Sequence, residues 1–242
     1  MPTRDSSRTR SQLVYEQMKA DIFAARLAPG ERLKFPDICE RYKTSVGAAR
    51  EALMHLKLER LVASQPNQGG QGYAVVELSA DVLTDLTSAR MEVESTVLSQ
   101  SVTHGSPEWE AEVVGSHHLL SRLPVPRAGA SDNDVAQWTD RHETFHRTLL
   151  AGCPSKRLLD IALSLRQEAE LYRRWSVPMT HDERDVQAEH REIVDAALAR
   201  DADMASALLR RHLATTKEHL LSSRIHGAVL AASLLDPQRP AN

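Results

Sequence analysis

Four histidines in the second half of the chain have the spacing of ligands to one metal ion. His142 and His146 lie four residues apart, and His190 and His212 follow at longer intervals. If these stretches are helical, each histidine falls on an apolar stripe, and the i, i+4 pair places two imidazoles over the same point. Such a cluster would give a three- or four-nitrogen shell to Zn²⁺, or to another divalent ion such as Ni²⁺ or Mn²⁺. Inward histidines are more often hydrogen-bonded core residues, so spacing alone leaves both interpretations open.

Three further side chains are candidates for binding an anion beside such an ion. Arg90 lies in the first predicted helix of this half, and Tyr172 and Arg173 lie near the end of a later one. A metal ion flanked by an arginine and a tyrosine would hold a small carboxylate, because the ion and the guanidinium each take one oxygen. Surface pairing with Glu94 or Glu170 is the competing interpretation for the arginines.

The elements that must position these side chains are predicted to be helical. From residue 80 onward, apolar residues recur at three- and four-residue steps, and β-like alternation is absent from this half of the sequence. Gly, Pro and Asp punctuate the stretches. We expect helices over residues 80–103, 107–122, 131–151, 155–176, 182–200 and 202–224. Six amphipathic helices joined by short loops predict an all-α bundle.

The first eighty residues show a different order of elements. One helix is predicted from Gln12, a second begins at Pro36, and a third runs from about Val46 to Glu59 with Ser45 as its N-cap. Two short strands around a Gln/Gly-rich tip follow. This is the order of a winged helix-turn-helix, whose second motif helix fits the major groove of DNA. The predicted fold class is therefore mainly α, with an N-terminal winged helix-turn-helix and a C-terminal helical bundle.

The exposed side of the third helix, the turn before it and the wing would supply the contacts to DNA. Arg50 can donate a bidentate pair to guanine or a charge-assisted bond to phosphate. A phosphate is also favoured at the start of a helix. The candidate DNA-binding residues are Lys34, Lys43, Thr44, Ser45, Val46, Gly47, Arg50 and Gln68. A solvated polar face on a small helical domain is the alternative.

Charge and composition agree with a DNA-reading part joined to a part that does not touch DNA. Residues 1–77 carry 12 Lys or Arg against 9 Asp or Glu, and the rest of the chain carries 18 against 24. The head is therefore weakly basic and the body acidic. Two separated cysteines, a polar start without a signal-peptide core and the lack of a long apolar run predict a cytoplasmic protein that does not enter a membrane.

These patterns divide the chain into five parts. We expect a disordered arm over residues 1–10, a winged helix-turn-helix over 11–77 and a linker over 78–81. An all-helical domain for ligand binding, metal binding and dimerisation is expected over 82–226, and a partly disordered extension over 227–242.

The sequence resembles GntR-family transcriptional regulators of the FadR subfamily, which carry an FCD ligand-binding domain. The resemblance spans nearly the whole chain and rests on residues 22, 27–33, 45–53, 58–62, 89–94, 142–150, 189–201 and 212. Trp109, His117, His118 and the turn at 151–155 look most like the carbon-starvation-induced regulators that sense glutarate-type acids.

The resemblance implies a metal held by an Asp-x-x-x-His pair and two later histidines. Carried over, the ligands are His142, His146, His190 and His212. His142 stands where the family usually has Asp or Asn, and the missing negative charge favours Zn²⁺ or Ni²⁺ over Mn²⁺. Val46 and Pro36 stand where some members carry DNA-contacting arginines, whereas Arg50 is retained.

We therefore expect a dimeric, non-enzymatic transcription factor that acts as a repressor rather than an activator. It would read a near-palindromic double-stranded operator and sense a small carboxylate. Two alternatives come from other classes. One is a metal-dependent hydrolase on a helical bundle, with Glu143 or Glu189 as its general base. The other is an effector-independent DNA-binding dimer with a structural metal.

Overall fold

A computed structural model describes residues 9–24, 26–67, 70–77, 79–127, 129–176 and 184–222. These residues form two compact units, one up to Glu77 and one from Ser79 onward. Among the described residues, the helices fall short of the length and apolar character that crossing a membrane requires.

The first unit combines helices with a small sheet. Its described elements are α1 (Arg10–Phe23), β1 (Arg32–Leu33), α2 (Phe35–Arg41), α3 (Val46–Leu58), β2 (Val62–Asn67) and β3 (Gly70–Val75). β3 lies between β1 and β2 and pairs antiparallel with both. Met18 and Ile22 of α1 are fully buried together with Leu53 and Leu56 of α3, and α1 packs against α3. This apolar core leaves the opposite side of α3 exposed.

Local signals fix the helix-turn-helix at α2 and α3. Pro36 lies in the first turn of α2, where its missing N–H is not needed. The Ser45 hydroxyl caps α3 by accepting a hydrogen bond from the Ala48 N–H at 3.3 Å, as the sequence predicts. Between the helices Lys43 has a φ of 46°, a left-handed conformation that makes the turn tight.

The second unit is a bundle of helices. Its described elements are α4 (Ala80–His104), α5 (Pro107–Ser121), α6 (Asp132–Leu150), α7 (Lys156–Ser176), α8 (Val186–Leu198) and α9 (Ala202–Ser222). α4 packs along both α9 and α7, α5 packs against α6, and α8 packs against α9. Val97, Leu98, Phe145, Ile193 and Ala197 are fully buried in its core.

The end of α4 makes a close crossing with the end of α6. The Ser101 hydroxyl donates to the Leu150 carbonyl at 2.8 Å. A Cβ on Gly152 would lie 2.9 Å from the Ser101 carbonyl oxygen and 3.2 Å from the Gly105 Cα. Gly152 is therefore required by the approach of the two backbones, whereas a Cβ on Gly105 would clash with the Trp109 ring and the Ser101 carbonyl. This junction holds α4 and α6 in a fixed register.

The structure differs from the sequence expectations at the edges of the elements. α1 begins at Arg10, inside the predicted arm, because the Thr9 hydroxyl accepts from the Gln12 N–H and caps the helix. α4 begins at Ala80, inside the predicted linker, because Ser79 caps it in the same way. The wing strands are also longer than expected, and β1 was not expected. The rest of the arm, Leu78 and the extension over 227–242 lie outside the described residues.

Candidate metal centre and DNA-binding face

The four predicted histidines come together inside the second unit. His142 and His146 extend from α6, His190 from α8 and His212 from α9, and all four are buried. One ring nitrogen of each lies within 4.8 Å of one ring nitrogen of the others. The Nε2 atoms of His142 and His146 are 3.2 Å apart. Three helices thus place four nitrogen donors around a single point.

A carboxylate stands behind one of these rings. The Nδ1–H of His212 donates to Glu189 Oε2 at 2.7 Å. Arg184 holds the same carboxylate through two hydrogen bonds, at 2.7 and 2.5 Å. Burial alone would raise the pKa of Glu189, but the hydrogen bonds from Arg184 and His212 lower it to about 2. An ionised Glu189 fixes the His212 proton on Nδ1 and leaves the Nε2 lone pair for a ligand.

A guanidinium stands behind another ring. Arg173 Nη1 lies 2.7 Å from His142 Nδ1. Arg173 also contacts Glu170 and lies 3.8 Å from Glu143. Burial, opposed by the charge of Glu143, lowers the pKa of Arg173 to about 9. The nearest partner of His142 Nδ1 is therefore a guanidinium, whereas that of His212 Nδ1 is a carboxylate, with Arg184 Nη2 further away at 3.3 Å.

The environment of the cluster favours neutral imidazoles. Burial lowers the pKa of His142, His146 and His190 well below the usual value, and neighbouring charge adds to the effect: Arg173 for His142 and Arg166 for His146. Burial also lowers the pKa of His212, against the pull of Glu189. Neutral imidazole is the form that binds metals.

One ring nitrogen of the cluster has no hydrogen-bond partner among the described residues. This atom is Nε2 of His190, which is buried. A buried polar atom of this kind is uncommon, and a metal ion at this point would satisfy it. The residues present therefore fit a divalent metal ion, which would be held by neutral nitrogen donors.

A chain of buried ion pairs lies beside the histidines. Arg166 of α7 is almost completely buried between Glu94 and Glu143, at 2.9 Å from each carboxylate. Arg90 donates to Glu94 from one turn earlier on α4, at 2.6 Å. Burial alone would raise the pKa of Glu94, but the charges of Arg90 and Arg166 hold it below its usual value. The network neutralises these charges where water is scarce.

A cavity of about 870 Å³ opens over this region. Its charged and imidazole lining consists of Arg90, Arg127, Asp134, His142, His146, Arg166, Arg173, Arg184, Asp185, His212, Lys217 and His219. Positive side chains outnumber the carboxylates, so the cavity suits an anion. Arg90 and Arg173 line it as predicted from the sequence, although each also pairs with a glutamate. Tyr172 is buried elsewhere and does not line it, because one residue along a helix turns the side chain by about 100°.

Sequence reasoning missed Arg166. A sequence signal for it exists, since Arg166 precedes Arg173 by seven residues and two helical turns bring both onto one face. The glutamates that neutralise Arg166 come from α4 and α6, and the sequence does not show which helices face one another. Glu143 and Glu189, the bases that a hydrolase would need, are both held by arginines.

The candidate DNA-binding residues of the first unit share one exposed region. Lys34, Lys43 and Arg50 are exposed. The guanidinium of Arg50 lies 5.6 Å from the centre of the Phe35 ring, in a cation–π arrangement. Phe35 in turn meets Tyr73 of the wing edge to face. The side chain on α3 is thus supported by α2 and β3.

The start of α3 completes this face. Ser45, Val46 and Gly47 are exposed, with Val46 at 48% of its surface, and Thr44 is half-buried. The Ser45 hydroxyl accepts from one of the first N–H groups of α3, that of Ala48, and a helix start on an exposed face favours a phosphate. Gln68, predicted at the wing tip, lies outside the described residues.

A winged helix-turn-helix followed by a helical bundle with a basic internal cavity defines the class of ligand-binding, DNA-binding regulators. Residues 10–70 match the bacterial regulatory proteins of the gntR family, and residues 85–215 match the FCD domain. The HTH-type transcriptional repressor GlaR of Escherichia coli K12 is 38% identical over 83% of this chain and 91% of its own length. The chain therefore belongs to the GntR family and carries an FCD domain.

Other similar proteins agree with this assignment. The HTH-type transcriptional regulator BphR of Paraburkholderia xenovorans LB400 is 37% identical, over 85% of this chain and 83% of its own length. The fold is similar to that of a GntR regulator from Rhodococcus sp. RHA1, with a TM-score of 0.66, 24% identity and coverage of 89% and 99% of the two chains. Escherichia coli McbR/YncC gives a TM-score of 0.68 at 18% identity, covering 89% and 98%.

The protein is thus a DNA-binding transcriptional regulator with an FCD effector-binding domain. The family and the similar proteins are regulators rather than enzymes, which contradicts the hydrolase alternative. The FadR-like placement from the sequence is confirmed by the match to the FCD domain.

Proposed function

We propose that this protein is a cytoplasmic, homodimeric repressor that is released from its operator by a small carboxylate. In this proposal residues 11–77 bind one half-site of a near-palindrome, and residues 82–226 hold a divalent metal ion, bind the effector and form the dimer. The observation that carries the proposal is the cluster of four buried histidines below a cavity lined by arginines.

His142, His146, His190 and His212 are the proposed ligands of the ion. The neutral donors, the unpartnered His190 Nε2 and the carboxylate behind His212 support this set. Four nitrogens favour Zn²⁺ or Ni²⁺ over Mn²⁺, which prefers oxygen ligands. When bound, the ion would supply a positive centre to which one carboxylate oxygen can coordinate.

Arg90 and Arg173 are the proposed effector-binding residues of the protein. Both line the cavity, and Arg173 also contacts one of the proposed metal ligands. A guanidinium recognises a carboxylate through paired N–H donors, which a lysine does not match. Arg166 lines the same cavity but is engaged by two glutamates, so we assign it to positioning the others.

The proposed DNA contacts lie on α3 and around it. Arg50 would read a base edge or a phosphate, while Lys34 and Lys43 would neutralise the DNA backbone. Residues 44–47 would place the start of α3 against a phosphate. The likeness to a protein named as a repressor supports the sign of regulation.

The test is fluorescence anisotropy on DNA from upstream of the protein's own gene, at moderate salt, with zinc-loaded protein and a panel of C3–C6 carboxylates. We expect tight, sequence-preferring binding that one acid weakens by a coupling of about 1–3 kcal/mol. Unrelated DNA of equal length is the control.

Two other results would contradict the proposal in different ways. Binding to DNA without sequence preference would contradict the proposal that the protein recognises a specific operator. Sequence-preferring binding that no acid in the panel alters would favour the effector-independent DNA-binding protein with a structural metal.

A further inference from the structure

His142 is held in the tautomer that does not bind a metal through Nε2. A guanidinium has only donors, so the Arg173 contact of 2.7 Å requires the Nδ1 of His142 to accept. A neutral imidazole then carries its hydrogen on Nε2. That hydrogen faces the Nε2 of His146 at 3.2 Å. A ligating Nε2 must instead present a lone pair.

His212 shows the opposite arrangement in the same cluster. Its Nδ1 lies 2.7 Å from the carboxylate of Glu189, which can only accept, and 3.3 Å from Nη2 of Arg184. The shorter contact to the carboxylate places the ring hydrogen on Nδ1, so Nε2 carries the lone pair. The group behind a histidine sets which nitrogen can bind a metal. Two neighbouring rings therefore have nearest outer partners of opposite sign, and only one of these partners supports ligation.

We propose that ligation of the metal by His142 and the contact between Arg173 and His142 exclude each other, so that metal loading releases Arg173 to the carboxylate effector. The inference rests on the proposed function and deepens it. When Nε2 gives its lone pair to the ion, the ring hydrogen resides on Nδ1, and His142 stays neutral. Nδ1–H and the guanidinium are then two donors facing one another.

The released donors have a natural acceptor in a carboxylate. Glu170 and Glu143 lie near Nη2 of Arg173, whereas His142 is met by Nη1, so the glutamates can keep the guanidinium in the cavity. An anion entering the cavity can accept from Arg173 and from the Nδ1–H of His142 together. Metal and carboxylate should therefore raise each other's affinity by the same factor, because coupling between two ligands is reciprocal.

The first experiment measures zinc affinity of the full chain by competition with a chelator, without any carboxylate. In Arg173→Gln the amide oxygen can accept from Nδ1–H, so the substitution supports the ligating tautomer. We expect zinc affinity to rise by about tenfold, at the lower end of the effects seen for groups behind metal ligands. Succinate and acetate, used as probes, should strengthen zinc binding in the wild type but not in Arg173→Gln.

Arg174→Gln is the matched control for the loss of charge. Arg174 is the next residue on α7 and pairs with Glu170 and Asp140 instead of His142. We expect its zinc affinity to stay within about twofold of the wild type. An equal rise in zinc affinity in both variants would show that the loss of a positive charge alone strengthens zinc binding, and would overturn the inference.

The second experiment observes the tautomer directly by long-range ¹H–¹⁵N correlation in histidine-labelled protein. We expect His142 to be protonated at Nε2 without zinc and at Nδ1 with zinc, whereas His212 keeps its hydrogen on Nδ1 throughout. The same His142 tautomer in both states would overturn the inference while leaving the four-histidine site intact. A wild type that takes up no zinc would refute the proposed function itself.

Discussion

The two units differ in where their charged side chains lie, at the surface in the first and also in the interior in the second. In the described part of the first unit, every buried side chain is apolar, and Lys34, Lys43 and Arg50 lie on the surface. In the second unit, the buried side chains include four histidines together with Arg166 and Glu94. Because the charged side chains of the first unit lie at its surface, they can be substituted without loss of the apolar core that stabilises the fold. In the second unit the charged groups that line the cavity also hold the bundle together.

The strongest test of this contrast is Glu94→Gln. The substitution leaves Arg166 and Arg90 without their shared carboxylate inside the bundle. Breaking a buried ion pair on one side costs about 3–5 kcal/mol, so the free energy of unfolding of the second unit should fall by that amount. Denaturant unfolding followed by circular dichroism measures it. Glu92→Gln, which removes an exposed pair with Arg210, is the control and should change little. Similar losses in both variants would contradict the contrast.

The same carboxylate predicts a dependence on pH. The pKa of Glu94 is held below its usual value in the folded protein, so its stabilising effect is complete above the unfolded-state pKa. The effect is lost as the pH falls through the folded-state pKa. The difference in unfolding free energy between wild type and Glu94→Gln should therefore shrink on acidification below the usual range of a glutamate. A difference that stays constant down to acid pH would be inconsistent with this origin.

Metal removal should affect only one of the units. A ligand that binds only the folded state stabilises it by about 2.7 kcal/mol at one hundred times its Kd. We expect zinc at that excess to raise the unfolding midpoint of the second unit and to leave that of the first unchanged. His146→Ala should abolish both the shift and the bound metal, measured by elemental analysis. Stoichiometric metal in this variant would mean that the ligand set is wrong.

A substitution on the exposed face of the first unit should weaken DNA binding and leave metal binding by the second unit unchanged. Arg50→Ala removes an exposed donor, so operator affinity should fall by about 10- to 100-fold, the range expected for one bidentate base contact. Zinc content should not change, and the unfolding free energy should fall by no more than about 1 kcal/mol, through loss of the contact with Phe35. Lys57→Ala removes an exposed cation two turns further along the same face of α3, and it shows whether the loss is specific to the start of the helix. Operator affinity of Arg50→Ala within about threefold of the wild type would rule out the assigned reading face.

The smallest expected effect is the loss of unfolding free energy on removal of a helix cap, and it should be equal in the two units. Ser45 and Ser131 cap α3 and α6 through equivalent hydrogen bonds, at 3.3 and 3.2 Å. Each change to alanine should cost about 1 kcal/mol of unfolding free energy in its own unit, because capping is a local effect. Unequal costs would show that the contrast between the units extends even to local structure.

The sequence predicted most of the helices because their ends carry strong local signals. Ser45, Pro36 and the glycine and proline breaks act within a few residues, so no knowledge of the fold is needed. The histidine cluster was predictable for a similar reason, since each ring lies on an apolar stripe of its own helix. These features depend on positions along one helix.

The features that the sequence did not predict depend on two or more elements. Arg166 is buried because glutamates on α4 and α6 face it, and β1 exists because β3 has a free edge to pair with. Tyr172 was expected beside Arg173, but helical rotation separates the two side chains. The contact of Arg173 with His142 belongs to the same group, since it joins α7 to α6.

The crossing at Ser101, Gly105 and Gly152 fixes the C-terminal end of α4, so any tilt of α4 about this point moves its N-terminal end the most. The backbones meet there without space for a side chain, so α4 cannot slide along α6 at this point. α4 has 25 residues, and its first residue, Ala80, is therefore about 36 Å from this fulcrum. A tilt of one degree at the fulcrum would displace Ala80 by about 0.6 Å, by the geometry of a rigid rod of that length. Small angular changes near the end of α6 are thus amplified at the point where the second unit begins.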